Sequence, residues 1–255
     1  MSRLRRAATA AGIAASALLA AQAAPAISAV GPVRRTLWPG LSGRGRLGHV
    51  ALTFDDGPHP EATPQVLRIL DNAGVQATFF LLARMVSDHP RVAQAIAAAG
   101  HEIAVHGHDH RLLLRRGPAA TRTDLTMAVQ VIAEFTGTVP RWWRPPYGVA
   151  TTAALYEARR LGLTPVLWTH WGRDWTRRAT PGSVARSVLW RPVSGGTILL
   201  HDSDHAAVPR CWEATVGALP GILAACRARG LDVGPLRDHG IASTAAAKIG
   251  HARAH

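Results

Sequence analysis

Short, mostly apolar runs alternate along this chain with longer stretches whose apolar positions recur every three or four residues. The short runs fall at residues 50–54, 77–82, 102–105, 141–144, 165–170, 197–200 and 231–233. Each predicts a strand, because a brief apolar run without alternation suits a strand covered on both faces. Between them, residues 63–73, 91–99, 121–135, 153–161, 183–190 and 212–228 predict helices. In 121–135, for example, Leu125, Val129 and Ile132 fall on one helical face. Gly74, Gly100 and Gly137 stand where a helix commonly ends in a left-handed residue. About seven strands, most followed by a helix, predict an α/β domain on a parallel sheet or barrel, spanning residues 49–238. Residues 31–48, rich in Gly, Pro and Arg, predict a linker. Residues 239–255, polar and Ala-rich, predict a disordered tail.

The first thirty residues follow a different plan. Arg3, Arg5 and Arg6 precede an Ala-dominated run over residues 7–30, with small-residue sites at Ala21-Gln22-Ala23 and Ile27-Ser28-Ala29. This is the layout of a secretory signal peptide; a signal anchor is the alternative, since the run is long enough to span a bilayer although Pro25 interrupts it. We therefore expect export, with a cleaved signal or with membrane anchoring through residues 7–30. No stretch between Arg34 and His239 is long and apolar enough to cross a membrane.

Composition changes the picture in one respect. The 47% hydrophobic fraction is that of a globular protein, but 29 Lys+Arg against 16 Asp+Glu give a net charge of +13. Nucleic-acid binding needs such charge gathered in a stripe with interleaved aromatics, and here it is spread over helices and termini. The basic surface would instead attract anionic partners such as acidic cell-wall polymers or lipid headgroups. Cys211 and Cys226 would lie about 22 Å apart along a single helix, beyond disulfide reach, so we expect free thiols in a monomeric domain.

The candidate chemistry sits at strand ends. The first strand runs into Asp55-Asp56-Gly57-Pro58, two acids followed by a turn. Strand alternation turns neighbours to opposite faces, so one acid can bind a metal while the other stays free as a base. His106 and His110 stand four apart, the spacing of a metal clip, and with Asp56 they make a set of two histidines and one carboxylate; His108 could replace either histidine. This is not the zincin motif, whose base Glu would fall where Gly107 is. A non-haem iron oxygenase also uses two histidines and a carboxylate, but needs no second acid beside the ligand. Residues 144–147, 171–175 and 201–202 also follow strands. In a parallel barrel such ends share one rim, where functional groups gather.

Thr53-Phe54-Asp55-Asp56-Gly57-Pro58, His106-x-x-x-His110, Arg144-Pro145-Pro146-Tyr147-Gly148, Asp174-Trp175 and Leu199-Leu200-His201 resemble, in order, the five motifs of polysaccharide deacetylases. This is the NodB-homology domain of carbohydrate esterase family 4, and the likeness covers residues 50–233. It implies a distorted (β/α) barrel with about seven parallel strands and metal-dependent removal of acetyl groups from N-acetylated, or O-acetylated, glycans. Asp56, His106 and His110 would hold a divalent metal, most commonly Zn2+, and Asp55 would be the base that activates water. The resemblance gives the Tyr147 backbone N–H to the oxyanion and Arg144 the task of orienting Asp55. Leu199 and Trp175 would wall the acetyl pocket, and His201 would protonate the leaving amine. Some relatives cleave non-sugar C–N bonds, and a binding relative that has lost the chemistry is the other alternative; both Asp55 and His201 are retained here. Three positions depart from the family: Val105 replaces a common Asn, Gly107 a Ser or Thr, and Trp171 the acid that would hold His201. A substitute carboxylate is therefore expected near His201, Asp174 first and Asp202 second.

Overall fold

The computed structural model describes residues 2–241. It begins with helix α1 (Ser2–Ala23), a 3-10 segment at Ala24–Ala29 and helix α2 (Gly31–Leu37). Strands and helices then alternate: β1 (His49–Asp55), α3 (Ala62–Ala73), β2 (Thr78–Leu82), α4 (Ala83–Asp88), α5 (Pro90–Ala98), β3 (Glu102–Gly107), α6 (Pro118–Thr136), β4 (Trp142–Trp143) and α7 (Thr152–Arg160). They continue with β5 (Thr164–Pro165), β6 (His170–Trp171), α8 (Pro181–Leu189), β7 (Thr197–His201), α9 (Trp212–Ala228) and β8 (Asp232–Gly234).

All strand pairs are parallel, in the order β5-β4-β3-β2-β1-β7-β6, with β8 paired to the start of β1. The two outermost strands, β5 and β6, are separated by only four residues in sequence. The sheet must therefore curl until its edges nearly meet, which produces the distorted barrel. The expected single strand at 165–170 is in fact two short ones on opposite edges. Across the gap the backbone changes partners: Val166 N–H donates to Trp143 O, Leu167 N–H to Leu41 O and Thr169 N–H to Thr197 O. An apolar run reports burial but not which edge a residue bonds to.

Alternation along β1 sorts the interior. Val50, Leu52 and Phe54 face the helical shell with Phe79, Leu81, Ile103 and Val105, and each such fully buried large side chain contributes about 1.5–3 kcal/mol. Ala51 faces the other way, into a smaller cluster with Phe80, Ala104, Trp142, Val166 and Leu236. Thr53 and Asp55 share that inner face by parity. The barrel interior thus passes from apolar at Ala51 to polar at its carboxyl end.

Two boundaries move. Residues 31–48 are not a free linker: Arg34 on α2 is buried and its guanidinium donates to Ser28 O at 2.9 Å and to Trp168 O at 2.7 Å. The glycines that suggested a linker let the backbone approach the barrel; Gly43, at φ +68°, would bring a Cβ to 2.7 Å from Leu167 O. At the other end, His239 is fully buried with its Nδ1 2.8 Å from His49 Nδ1, and Ile241 packs on the inner cluster, so residues 239–241 belong to the domain rather than to a tail. The rest of the expected tail, 242–255, lies outside the described residues. Helix α9 runs through Pro220-Gly221, and Cys211 and Cys226 are both buried free thiols. Residues Ala11–Ala29, of mean hydropathy 1.4, are long and apolar enough to cross a membrane.

Candidate active site

The carboxyl ends of β1, β3, β4, β6 and β7 surround a pocket of about 220 Å3 lined by Asp55, Asp56, His106, His110, Trp175 and His201, among others. Strand alternation alone would turn Asp55 and Asp56 apart. Instead β1 stops at Asp55, and Asp56 adopts φ 73°, a left-handed conformation that brings its carboxylate onto the same pocket. Such a backbone costs a residue other than glycine about 1–3 kcal/mol, a cost that persists only where the surroundings enforce it. His110 (φ 53°) and Tyr147 (φ 60°) share the feature, so three left-handed non-glycine residues meet at one site. Gly107 has an equally direct reason: at φ +127° it lies where other residues are strained.

Asp56, His106 and His110 each offer one ligand atom, all within 4.8 Å of one another. Both imidazole Nε2 atoms stand 3.3 Å from Asp56 Oδ1, yet that buried oxygen makes no well-formed hydrogen bond. His106 Nδ1–H donates to Arg144 O at 2.9 Å, which leaves the Nε2 lone pair turned inward. Three donors that face a common point without satisfying one another fit a cation. His108 is not one of the three; its backbone N–H donates to Asp124. Burial opposes ionisation of Asp56, but the His106 contact and the charges of His110, His106 and His201 outweigh it and hold the carboxyl well below its usual range. Burial pushes His110 down to about 4, against the pull of Asp56, so the ring is neutral and able to coordinate near pH 7.

Asp55 is held differently. The fully buried Arg144 donates from Nη1 to Asp55 Oδ1 at 2.7 Å and to Thr53 Oγ1 at 2.8 Å, and its remaining nitrogens reach Val166 O and Leu167 O. The guanidinium also lies 4.0 Å over the Phe80 ring. Asp55 Oδ2 faces His106 Nε2 at 3.9 Å, so the acid is fixed at one oxygen and turned to the ligand set at the other.

Asp174 lies beside His201, and Asp202 does not. His201 Nδ1–H donates to Asp174 Oδ1 at 2.9 Å, and His201 N–H donates to Oδ2 at 2.7 Å. Thr215 adds a third donor to Oδ2 at 2.6 Å. Asp202 turns away and accepts from Thr63 at 2.6 Å; burial pushes it up to about 7 although Thr63 opposes the rise. Burial disfavours the His201 cation, but Asp174, then Asp56 and Asp55, outweigh it and raise the ring to about 10. Trp171, where the resemblance leads one to expect an acid, instead joins a run of aromatic rings: Trp168, Trp171, Trp175 and His201 follow one another at centroid distances of 5.9, 5.2 and 5.5 Å. Leu199 and Trp175 line the pocket, and the Tyr147 ring packs edge-on against His110 at 4.5 Å. The bonds closing the Pro145–Gly148 turn run from Gly148 N–H and Val149 N–H, which bypasses the Tyr147 N–H.

Sequence reasoning missed Trp168, Thr215 and Phe80. Trp168 had a signal, as an aromatic near the end of an apolar run. Thr215 and Phe80 had none, because a threonine within a helix and a phenylalanine within a strand look like ordinary packing. A larger hollow of about 580 Å3 opens among Arg46, His49, His101, Asp232 and Gly234, at the amino-terminal ends of the strands. The three-ligand cluster lies in the smaller pocket, and chemistry rather than volume marks the site.

Comparison with known proteins agrees with this geometry. A family model described as "Polysaccharide deacetylase" matches residues 43–166. The chain is 37% identical over 196 residues to a chitooligosaccharide deacetylase of Bradyrhizobium sp. (strain ANU 289), covering 73% of this chain and 88% of that protein. It resembles the crystal structure of the Bc1960 peptidoglycan N-acetylglucosamine deacetylase (TM-score 0.72, 27% identity, 79% of this chain and 92% of that one). It also resembles BA3943, a carbohydrate esterase family 4 pseudoenzyme of Bacillus anthracis (TM-score 0.69, 25% identity, 76% and 65%). Five strand ends that bring an acid pair, two histidines, a buried arginine and a histidine–carboxylate pair to one pocket, together with a relative that aligns over most of its length, place this chain in the polysaccharide deacetylase family.

Proposed function

We propose that this protein is a metal-dependent deacetylase that hydrolyses acetyl groups from N-acetylated sugars of a polysaccharide or cell-wall glycan. The observation that carries the reading is the division of labour between two adjacent acids: Asp56 faces two imidazoles, and Asp55 is clamped by Arg144 beside them. A divalent ion held by Asp56, His106 and His110, for which the donor set suits Zn2+, would supply Lewis-acid polarisation of the acetyl carbonyl and of a water molecule. Asp55 takes the proton of the attacking water, because its free oxygen is the basic atom nearest the ligand set. The Tyr147 N–H donates to the developing oxyanion. Leu199 and Trp175 enclose the methyl group, and His201 gives its proton to the departing amine nitrogen.

That reading is tested by acetate release from N-acetylated oligosaccharides, with and without a chelator. Activity should disappear on chelation and return on adding back Zn2+; release that survives metal removal would end the metal-dependent reading. The Asp55 and His201 pair supports an enzyme over a binding relative without chemistry, since sugar binding alone needs neither a clamped base nor a raised acid. Residues 1–30 support export, cleaved or anchored, and recovery of the full-length chain from the cytoplasm of its native cell would refute it.

Asp174→Asn tests the acid. His201 donates a proton only while it is charged, so its contribution is present below its pKa and lost above it. The neutral amide removes the charge that raises that pKa. The alkaline limb of kcat/KM should therefore move to lower pH, by about one unit or more. A limb that stays in place would show that Asp174 does not set the acid.

A further inference from the structure

Next to the acetyl pocket, and sharing Tyr147, Trp168 and Trp171 with it, is a second hollow of about 380 Å3. Its polar wall is made by Arg34, Arg35, Arg44 and Arg191, and no acidic side chain lines it. None of these four guanidiniums lies within 4 Å of a carboxylate among the described residues, whereas Arg116 has two such partners and Arg144, Arg160 and Arg210 have one each. Two of the four are structural in part. Arg34 is buried against Ser28 O and Trp168 O, and Arg191 donates to Thr169 O. Arg35 and Arg44 are exposed, with their charge unspent. Burial, with the Arg35 and Arg144 charges adding to it, pushes Arg34 down to about 10. Arg173, stacked 5.3 Å over Trp171, adds another cation on the same rim.

A neutral polymer of N-acetylated sugars offers such a wall hydrogen-bond acceptors but no counter-charge. Like charges held together without a counterion repel one another, and arginine's planar donor fork matches a carboxylate. We propose that this groove is a subsite for a carboxylate carried by the glycan, so that the sugar beside the one being deacetylated is acidic. The proposal rests on the deacetylase reading above and names its substrate class. The aromatic floor of Trp168 and Trp171 takes the faces of successive sugar rings, while Arg35 and Arg44 meet the acid. Arg34 and Arg35 precede residue 43, where the family match begins, so two of the four cations come from the chain's own N-terminal segment, and Arg44 and Arg191 come from the barrel domain.

Three probes decide it: a neutral N-acetylglucosamine tetramer, an oligosaccharide alternating N-acetylglucosamine with N-acetylmuramic acid, and one alternating N-acetylglucosamine with glucuronic acid. The second carries its carboxylate on a lactyl ether and the third on the ring, so their ranking identifies the source of the acid. At low ionic strength kcat/KM for the better acidic probe should exceed that for the neutral one by about tenfold or more, the size of one charge-assisted contact. Arg35→Ser with Arg44→Ser should reduce that ratio by a similar factor through KM, and added salt should erode it. A wild-type ratio near one, or a ratio unchanged in the double variant whose thermal unfolding matches wild type, overturns the subsite. If none of the probes releases acetate, the deacetylase reading fails on its own. Calorimetric titration of the two acidic probes then decides the subsite: weaker binding by the double variant supports it, and equal affinity overturns it.

Discussion

Asp55→Asn is expected to lower acetate release by about a hundred- to ten-thousand-fold, the usual contribution of a positioned base, while metal uptake stays stoichiometric. The amide keeps the size of the carboxylate and can still accept from Arg144, but it cannot take a proton from water. Metal retention follows from geometry, since Asp56 and the two imidazoles supply the ligand set and Asp55 Oδ2 stands 3.9 Å from His106 Nε2. The substitution also leaves the Arg144 cation, which is fully buried, without its counterion. A loss of stability of about 3–5 kcal/mol is expected on that account, so activity must be measured well below the unfolding transition. Metal content by mass spectrometry together with kcat settles the assignment. Loss of metal would make Asp55 a ligand, and near-normal turnover would move the base elsewhere.

Arg144→Leu is the complementary experiment. It strands the Asp55 carboxylate inside the barrel and leaves Thr53 without its donor, and the expected loss is again about 3–5 kcal/mol. The two substitutions should not add. Asp55→Asn combined with Arg144→Leu removes both buried charges, so the double variant should be more stable than the sum of the single losses allows, while activity does not return. Denaturant unfolding of all four proteins gives the coupling. Additive losses would mean that the guanidinium stabilises the barrel through Val166 O, Leu167 O and Phe80 rather than through Asp55.

Much of this was legible in the sequence where one physical rule acted alone. Apolar runs located β1, β2, β3 and β7, whose residues are buried on both faces apart from the end of β7 at His201. The order of the motifs located the pocket. What escaped was set by tertiary contact. Nothing local announces that Asp56 will be left-handed, and alternation argued the opposite, although the conformation brings its carboxylate to the histidines of a distant strand end. Residues 165–170 form one apolar run, yet Pro165 pairs with β4 and His170 with β7. The Gly-rich stretch before β1 had the composition of a linker, and only the burial of Arg34 against Ser28 and Trp168 shows it docked. Asp174 was named as the partner of His201 from spacing along one loop, but Thr215, which also holds it, comes from a helix far along the chain.

The place of β1 in the sheet has a consequence for how the molecule comes to be. Among the described strands it is the first synthesised, and its neighbours on one edge and at its start, β7 and β8, are the last. While the chain emerges, β2 and β3 can pair beside it, but the opposite edge of β1 presents unbonded amides and carbonyls until residue 197 is available. Contacts so distant in sequence make for slow, late closure, and a bare strand edge invites pairing with other chains. A ribosome stalled before β7, or a protease cutting after α8, would release a fragment that still holds Asp56, His106 and His110 but carries an open, adhesive edge. For such a fragment, self-association rather than loss of metal ligands would be the first failure.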